Sequence, residues 1–317
     1  MVSVGYFLSC EEFGPLELVD QARKAEDAGF ERLWISDHFH PWLEEQGQSP
    51  FVWSVIGALS QVTSLPITTA VTCPLVRIHP AVVAQAAATA AVQCRGGFTL
   101  GVGTGEALNE HVTGQPWPTP PVRVKMLEEA IQVIRELHTG KLTSHRGEYY
   151  TVENARIYTL PERPVPIYVS GFGPAATELA ARAGDGFCTV SPDRELVDLY
   201  RREGGGDRPV QGGLKVCWAE TEADGVRTAH RRWRNELLPG KLPSTLPNPA
   251  DFTAASELVT EEMVRDQFAC GPDPDEHLKK VRAFAEAGFD EVYVQQIGPD
   301  QDAFFQAWKT DVLPRVG

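Results

Sequence analysis

The chain has no apolar run long enough to span a membrane. Its opening residues lack the basic segment and apolar stretch of a secretory leader, so neither a membrane protein nor a leader is expected. Basic charge is scarce: 29 Lys and Arg against 43 Asp and Glu leave a net charge of −14. A field of that sign repels nucleic acid and anionic membrane surfaces, so any anionic ligand must be held by local cations or backbone amides. None of the six cysteines (Cys10, Cys73, Cys94, Cys188, Cys217 and Cys270) forms a CxxC pair. Reduced, buried thiols in a cytoplasmic protein are expected, and no metal site, because His38 and His40 have no matching second pair. Short internal repeats and low-complexity tracts are missing as well. So is a Gly-rich dinucleotide turn after the first strand, which speaks against a doubly wound sheet.

What is present is alternation. With 42% hydrophobic and 23% charged residues over 317 positions, the chain can bury a full core. Strands are expected at 3–9, 32–36, 67–73, 98–103, 166–170, 186–190, 210–219 and 291–297. Between them fall helices at 15–28, ended by Gly29, and near 51–63, then at 81–93 behind Pro80 and at 121–138. The last of these carries a helical period in Val124, Leu127, Ile131, Ile134 and Leu137. Further helices are expected at 175–183, 194–202, 222–236, 260–268, 274–287 and 301–312. Eight strands alternating with helices predict an α/β fold, a (β/α)8 TIM barrel forming a single domain over 1–317. Residues 142–160 read as a hairpin excursion. A loop insertion is expected near 239–260, its Pro-rich part at 239–250.

In such a barrel the carboxyl ends of the strands carry the chemistry. The most informative of them is Ser36-Asp37-His38-Phe39-His40-Pro41-Trp42, where an acid and an imidazole follow a buried strand between aromatic residues. Imidazole titrates nearest neutral pH and so suits proton transfer; the structural alternative is an Asp helix cap with a solvated loop histidine. Strand 1 ends at Ser9-Cys10-Glu11-Glu12. The fourth ends in Gly101-Val102-Gly103-Thr104-Gly105-Glu106, followed by Asn109 and Glu110, and its glycines let a planar ligand approach the backbone. Glu106 there is either a helix-end carboxylate or one that exchanges a proton with a bound ring. Gly171-Phe172-Gly173-Pro174 before a helix is a possible anion seat, or an ordinary strand-to-helix turn.

Taken in order, these residues resemble the luciferase-like superfamily. More narrowly they are similar to its coenzyme F420-dependent branch of glucose-6-phosphate and secondary-alcohol dehydrogenases. The resemblance covers nearly the whole chain and rests on Glu11 before Phe13, on Ser36-Asp37-His38-Phe39 with Pro41-Trp42, on Gly101 to Glu110, and on Ala183-Gly184-Asp185-Gly186-Phe187. It implies a TIM-barrel homodimer with coenzyme F420 across the strand ends and no metal. By the same resemblance Asp37 touches the deazaflavin, together with Thr104, Gly105, Asn109, Gly171, Phe172, Gly173 and a cis peptide between Ala70 and Val71. His38 faces the substrate carbinol, Trp42 walls the transferring hydride, Glu106 sits near ring N1, and Glu11 is an auxiliary carboxylate. A deazaflavin has carbon in place of flavin N5, so it favours hydride transfer over oxygen activation.

The chain departs from the sugar-phosphate branch where that branch holds phosphate with two lysines and an arginine. Those places fall at or near Asp193, Pro243 and Asp266, and nearby Arg194, Lys241 and Arg265 substitute only with a shifted backbone. The expected function is therefore hydride transfer between F420 and a non-phosphorylated alcohol or carbonyl compound. The alternatives are a sugar-6-phosphate dehydrogenase with a rearranged phosphate site, an FMN-dependent monooxygenase, and a non-catalytic deazaflavin-binding protein. His79 is read as a helix-entry residue. His111, His138, His145, His230, His277, Arg77 and the basic run at 227–234 are read as solvated, and Trp218, Trp233 and Trp308 as core or interface residues.

Overall fold

Apolar runs bounded by polar turns become the strands of a computed structural model that describes residues 2–316. In chain order they are β1 (Ser3–Leu8), β2 (Leu33–Ile35), β3 (Ile67–Thr69), β4 (Phe98–Val102), β5 (Thr143–Arg146), β6 (Thr151–Ala155), β7 (Ile167–Ser170), β8 (Gly186–Thr189), β9 (Val210–Cys217), β10 (Ala269–Cys270) and β11 (Glu291–Gln296). Parallel pairing runs β11-β1-β2-β3-β4-β7-β8-β9, and β9 pairs back with β11. This closes a barrel of eight strands, with Tyr6 opposite both Leu33 and Val294. Helices lie outside, and the antiparallel β5–β6 hairpin stands apart. The expected (β/α)8 fold is the one observed.

Side chains fill the barrel in layers, as closure requires. Trp34 stacks on Tyr293 at 4.5 Å and meets Phe7 edge-on at 5.5 Å. Such contacts add roughly 0.5–1.5 kcal/mol beyond burial. Gly213 makes room, because a Cβ there would lie 2.8 Å from the Trp34 ring. The indole N–H donates to Gln211 at 2.9 Å, and Gln211 in turn donates to Glu291 at 2.7 Å, so the polar atoms of this layer find partners.

Outside the barrel, the helix Pro80–Gln93 turns a small-residue face inward, burying Val83, Ala84, Ala87 and Ala88. The helix Pro15–Ala28 ends at Gly29, whose φ of 97° permits the left-handed cap expected of it.

Several expectations are corrected. Strand 67–73 stops at Thr69; Ala70–Val71 is cis, and Thr72 returns as an isolated bridge to Val102. The Pro-rich stretch read as loop folds into two short helices, Leu242–Thr245 and Pro249–Ala255. Proline is tolerated in a first helical turn, and the Asn248 side chain caps the second helix by accepting from Asp251 N at 3.0 Å. Two-residue β10 is too short to show any period in sequence.

His277 is fully buried, not solvated. It lies on the inward stripe of the helix Pro274–Glu286 with Leu278, Val281 and Phe284. Its Nε2 lies 2.9 Å from the Gly271 carbonyl, and burial lowers its pKa, favouring the neutral ring.

Candidate active site

The ends of β1, β2 and β4 converge on one imidazole. His38 Nε2 lies 3.4 Å from Glu11 Oε1, and the other Glu11 oxygen accepts from Ser9 and Ser36, each at 2.8 Å. On the far side of the ring, Nδ1 is 3.1 Å from the His40 carbonyl and 3.1 Å from Asn109 Nδ2. Asn109 Oδ1 accepts from Phe39 N and His40 N, which fixes the amide with its NH2 toward His38. That NH2 also reaches Glu106 Oε2 at 3.4 Å, joining the ends of β2 and β4 through one side chain. A protonated imidazole finds acceptors on both sides, the His40 carbonyl and Glu11. In a neutral ring Nδ1 has both an acceptor, the His40 carbonyl, and a donor, the Asn109 NH2, within reach, so either tautomer finds a partner there.

Trp42 stands beside the ring, centroid to centroid 4.9 Å, and meets Phe252 edge-on at 5.1 Å. Leu43, Leu108, Leu238 and Phe252 form one buried cluster here, with Trp42 and Leu246 packed on it. The segment carrying the two short helices thus packs apolar side chains against Trp42, beside His38.

Asp37 is only 4% exposed. Its carboxylate accepts from Thr72 Oγ1 at 2.8 Å and from Arg77 at 2.7 Å. Arg77 is a correction to the sequence reading. Its side chain is only 8% exposed, and it also faces Glu110, whose Oε2 accepts from the backbone N–H groups of Val76 and Arg77. Its position, in the loop that follows β3 on the catalytic face, was the available signal; its charge suggested a solvated residue.

Arg123 donates to the Gly105 carbonyl at 2.7 Å, behind the glycine turn. Gly105 has φ 67°, and a Cβ there would lie 2.4 Å from Cys73 Sγ, so glycine is required. Val71 packs against this turn, 2.7 Å from where a Gly103 Cβ would stand. Gly171, Phe172 and Gly173 lie one strand further round, at the end of β7; Phe172 is exposed, and a Cβ on Gly173 would meet nothing within 4 Å.

Glu12, next to Glu11, points the other way. It accepts from Trp233 Nε1 and from Gly298 N, with Arg232 3.4 Å distant. Burial raises its pKa most, and these partners pull it back. Lys215 on β9 pairs with Glu236 at 2.6 Å and lies 4.4 Å from the Trp233 ring centroid. Arg232 and Arg234 are therefore not the solvated residues expected, for Arg234 is 8% exposed and reaches Glu45 at 3.0 Å. His145 is likewise held between Glu129 and Glu136, at 3.4 and 3.2 Å. Among the described residues no group of three or more His, Cys, Asp or Glu is arranged to hold a metal ion.

Comparison with known proteins agrees with this geometry. Residues 3–291 match the family described as luciferase-like monooxygenase. The F420-dependent glucose-6-phosphate dehydrogenase of Microbacterium testaceum is 36% identical over 98% of this chain and 96% of its own length. That of Nakamurella multipartita is 36% identical over 99% and 96%. A solved F420-dependent secondary alcohol dehydrogenase in complex with an F420–acetone adduct superposes with a TM-score of 0.93, at 32% identity over 100% of this chain and 99% of that one. The chain therefore belongs to the luciferase-like family. Within it, the chain falls in the branch of F420-dependent oxidoreductases.

Proposed function

We propose that this enzyme transfers hydride between coenzyme F420 and a non-phosphorylated alcohol or carbonyl compound, the whole chain acting as one barrel unit. One observation carries the choice of substrate: beside His38, partly buried Trp42 packs with Leu246 on the buried Phe252, and the places where phosphate would need cations lack them. Asp193 caps the helix Arg194–Tyr200, Arg194 donates to the Glu286 carbonyl, and Arg265 lies 3.1 Å from Glu222. Carboxylates facing a phosphate dianion in a shielded pocket oppose its binding.

The residues present fit the cofactor. The missing side chains at Gly103 and Gly105 let this strand end pack tightly on Val71 and Cys73, and open space at Gly173 suits an elongated ligand. Asp37, Ala70, Val71, Thr104, Gly105 and Asn109 would hold the ring, and Gly171, Phe172 and Gly173 the chain beyond it. When bound, F420 supplies a carbon that accepts or donates hydride. His38 takes the substrate hydroxyl proton at Nε2, and Glu11 stabilises the imidazolium that results. Trp42 excludes water from the carbinol side. Glu106, set by Asn109, holds a proton at its carboxyl oxygen on the ring side. In the reducing direction the same proton returns from His38.

A sugar-6-phosphate dehydrogenase with a rearranged phosphate site is the competing reading, favoured by the names of the curated relatives. Lys241, exposed and two residues before Pro243, is the cation such a site would recruit. Following F420 absorbance with secondary alcohols, ketones and glucose 6-phosphate separates the two. Turnover of a small secondary alcohol without turnover of glucose 6-phosphate is expected; efficient turnover of the phosphate sinks the proposal.

The proposal extends to a cytoplasmic homodimer. Six free thiols suit a reducing compartment, and exposed Phe51 and Val82 beside Trp53 and Ile78 offer an apolar face for a second copy. Light scattering should give twice the 34.8 kDa chain mass.

A further inference from the structure

Two parts of the mouth that differ in chemistry are joined by a pair of side chains that the reaction itself does not use. Arg123 lies in the first turn of the helix Pro120–Leu137 and is 3% exposed. Its guanidinium donates to the carbonyl of Gly105 at 2.7 Å and lies 3.4 Å from that of Thr104, holding the glycine turn from behind. Its Cζ stands 4.5 Å from the centroid of the Trp117 ring, which covers the charge. Trp117 Nε1 donates at 3.0 Å to the carbonyl of Ser244, within the short helix Leu242–Thr245 of the apolar cover.

A buried guanidinium needs partners on every side, and here the list is short. Among the described residues Arg123 Nε has none, so the two turn carbonyls, the aromatic face and the charge of nearby Glu106 carry its stabilisation. Displacing Trp117 uncovers the charge and loosens the turn; displacing the helix Leu242–Thr245 removes the acceptor that orients Trp117.

We propose that Arg123 and Trp117 are positioning residues forming one strut, through which order in the glycine turn on the cofactor side and closure of the 242–245 segment on the substrate side reinforce each other. Linkage then requires the effect to be reciprocal: whatever orders Thr104 and Gly105 steadies the cover, and a substrate that holds the cover tightens the turn. This rests on the reading that the turn receives F420.

The test uses Lys241, exposed at the start of the cover and cleavable by trypsin. Cleavage after Lys241, followed by mass spectrometry, should slow about fivefold or more when saturating F420 is added to the wild-type protein. Trp117→Phe keeps a ring over Arg123 but loses the donor to Ser244. It should bind F420 within about twofold of wild type by fluorescence titration, yet lose the protection at Lys241. Its KM for a secondary alcohol should rise about tenfold, by more than kcat falls. Trp117→Ala, which also uncovers the guanidinium, should additionally weaken F420 binding about fivefold. Equal protection at Lys241 in wild type and Trp117→Phe overturns the strut, as does F420 binding to wild type without any protection. Failure of wild type to bind F420 at all would instead remove the cofactor assignment on which the strut rests.

Discussion

The two sides of the barrel mouth are built on opposite principles. On the side of β1, β2 and β4, polar atoms are bound several times over: Asn109 alone contacts Phe39 N, His40 N, His38 and Glu106. On the side of the 239–256 segment the packing beneath is leucine, phenylalanine and tryptophan, and Trp117 reaches the segment through one hydrogen bond to Ser244. Hydrogen bonds are directional and hold a proton-transfer group to within a fraction of an ångström. Apolar packing is non-directional and sorts ligands by size and polarity. On the proposed function, the polar side would set the reaction type and the apolar side the choice of substrate.

The comparison breaks most visibly at His38. His38→Ala should lower kcat by about 10²–10⁴-fold while F420 affinity stays within about twofold, measured by absorbance kinetics and fluorescence titration. Equal loss of both would move His38 from proton transfer to cofactor binding. Arg77→Met comes next, because it leaves Asp37 and Glu110 buried without their cation. It should cost about 3–5 kcal/mol of stability in denaturant titrations and weaken F420 binding as well. An unchanged midpoint would mean that water replaces the guanidinium.

A change on the apolar side should behave differently. Phe252→Leu should raise KM for an apolar alcohol about fivefold, roughly 1 kcal/mol, without altering F420 affinity. Should F420 affinity fall as far as substrate affinity, the two sides are not separate in function.

The smallest effect is at Glu12. Burial raises its pKa above 4.5, so the folded state binds its proton more tightly than the unfolded chain. The stability this contributes is present in full below about pH 4.5 and is lost as pH rises through the folded value. Glu12→Gln removes the titration, so the Tm of the variant minus that of wild type should become more positive as pH rises across that window. An opposite slope would show that Arg232 and Trp233 outweigh burial.

Legibility in the sequence followed local chemistry. Strand runs, helix caps such as Gly29, and the order of acid, imidazole and indole at 37, 38 and 42 are properties of neighbouring residues; the first two led to the barrel, and the third carried the resemblance that implied the reaction class. Where a property depends on what lies across space, the sequence misled. Arg77 and His277 read as solvated, since charge and polarity are visible in a string and burial is not. Glu11 and Glu12 are indistinguishable as neighbours, yet the turn that follows β1 sends one to His38 and the other to Trp233. Arg123 and Trp117 carried no signal, because their partners at 105 and 244 are far apart in the chain.

By itself, then, the sequence determined the fold class through periodicity, and the kind of chemistry through the resemblance its strand-end motifs carry. Tertiary structure alone decided which carboxylate meets the imidazole, which arginine side chain is enclosed by carboxylates and which apolar side chains pack on Trp42. Those outcomes depend on barrel closure, which brings distant strands within hydrogen-bonding distance and excludes water between them.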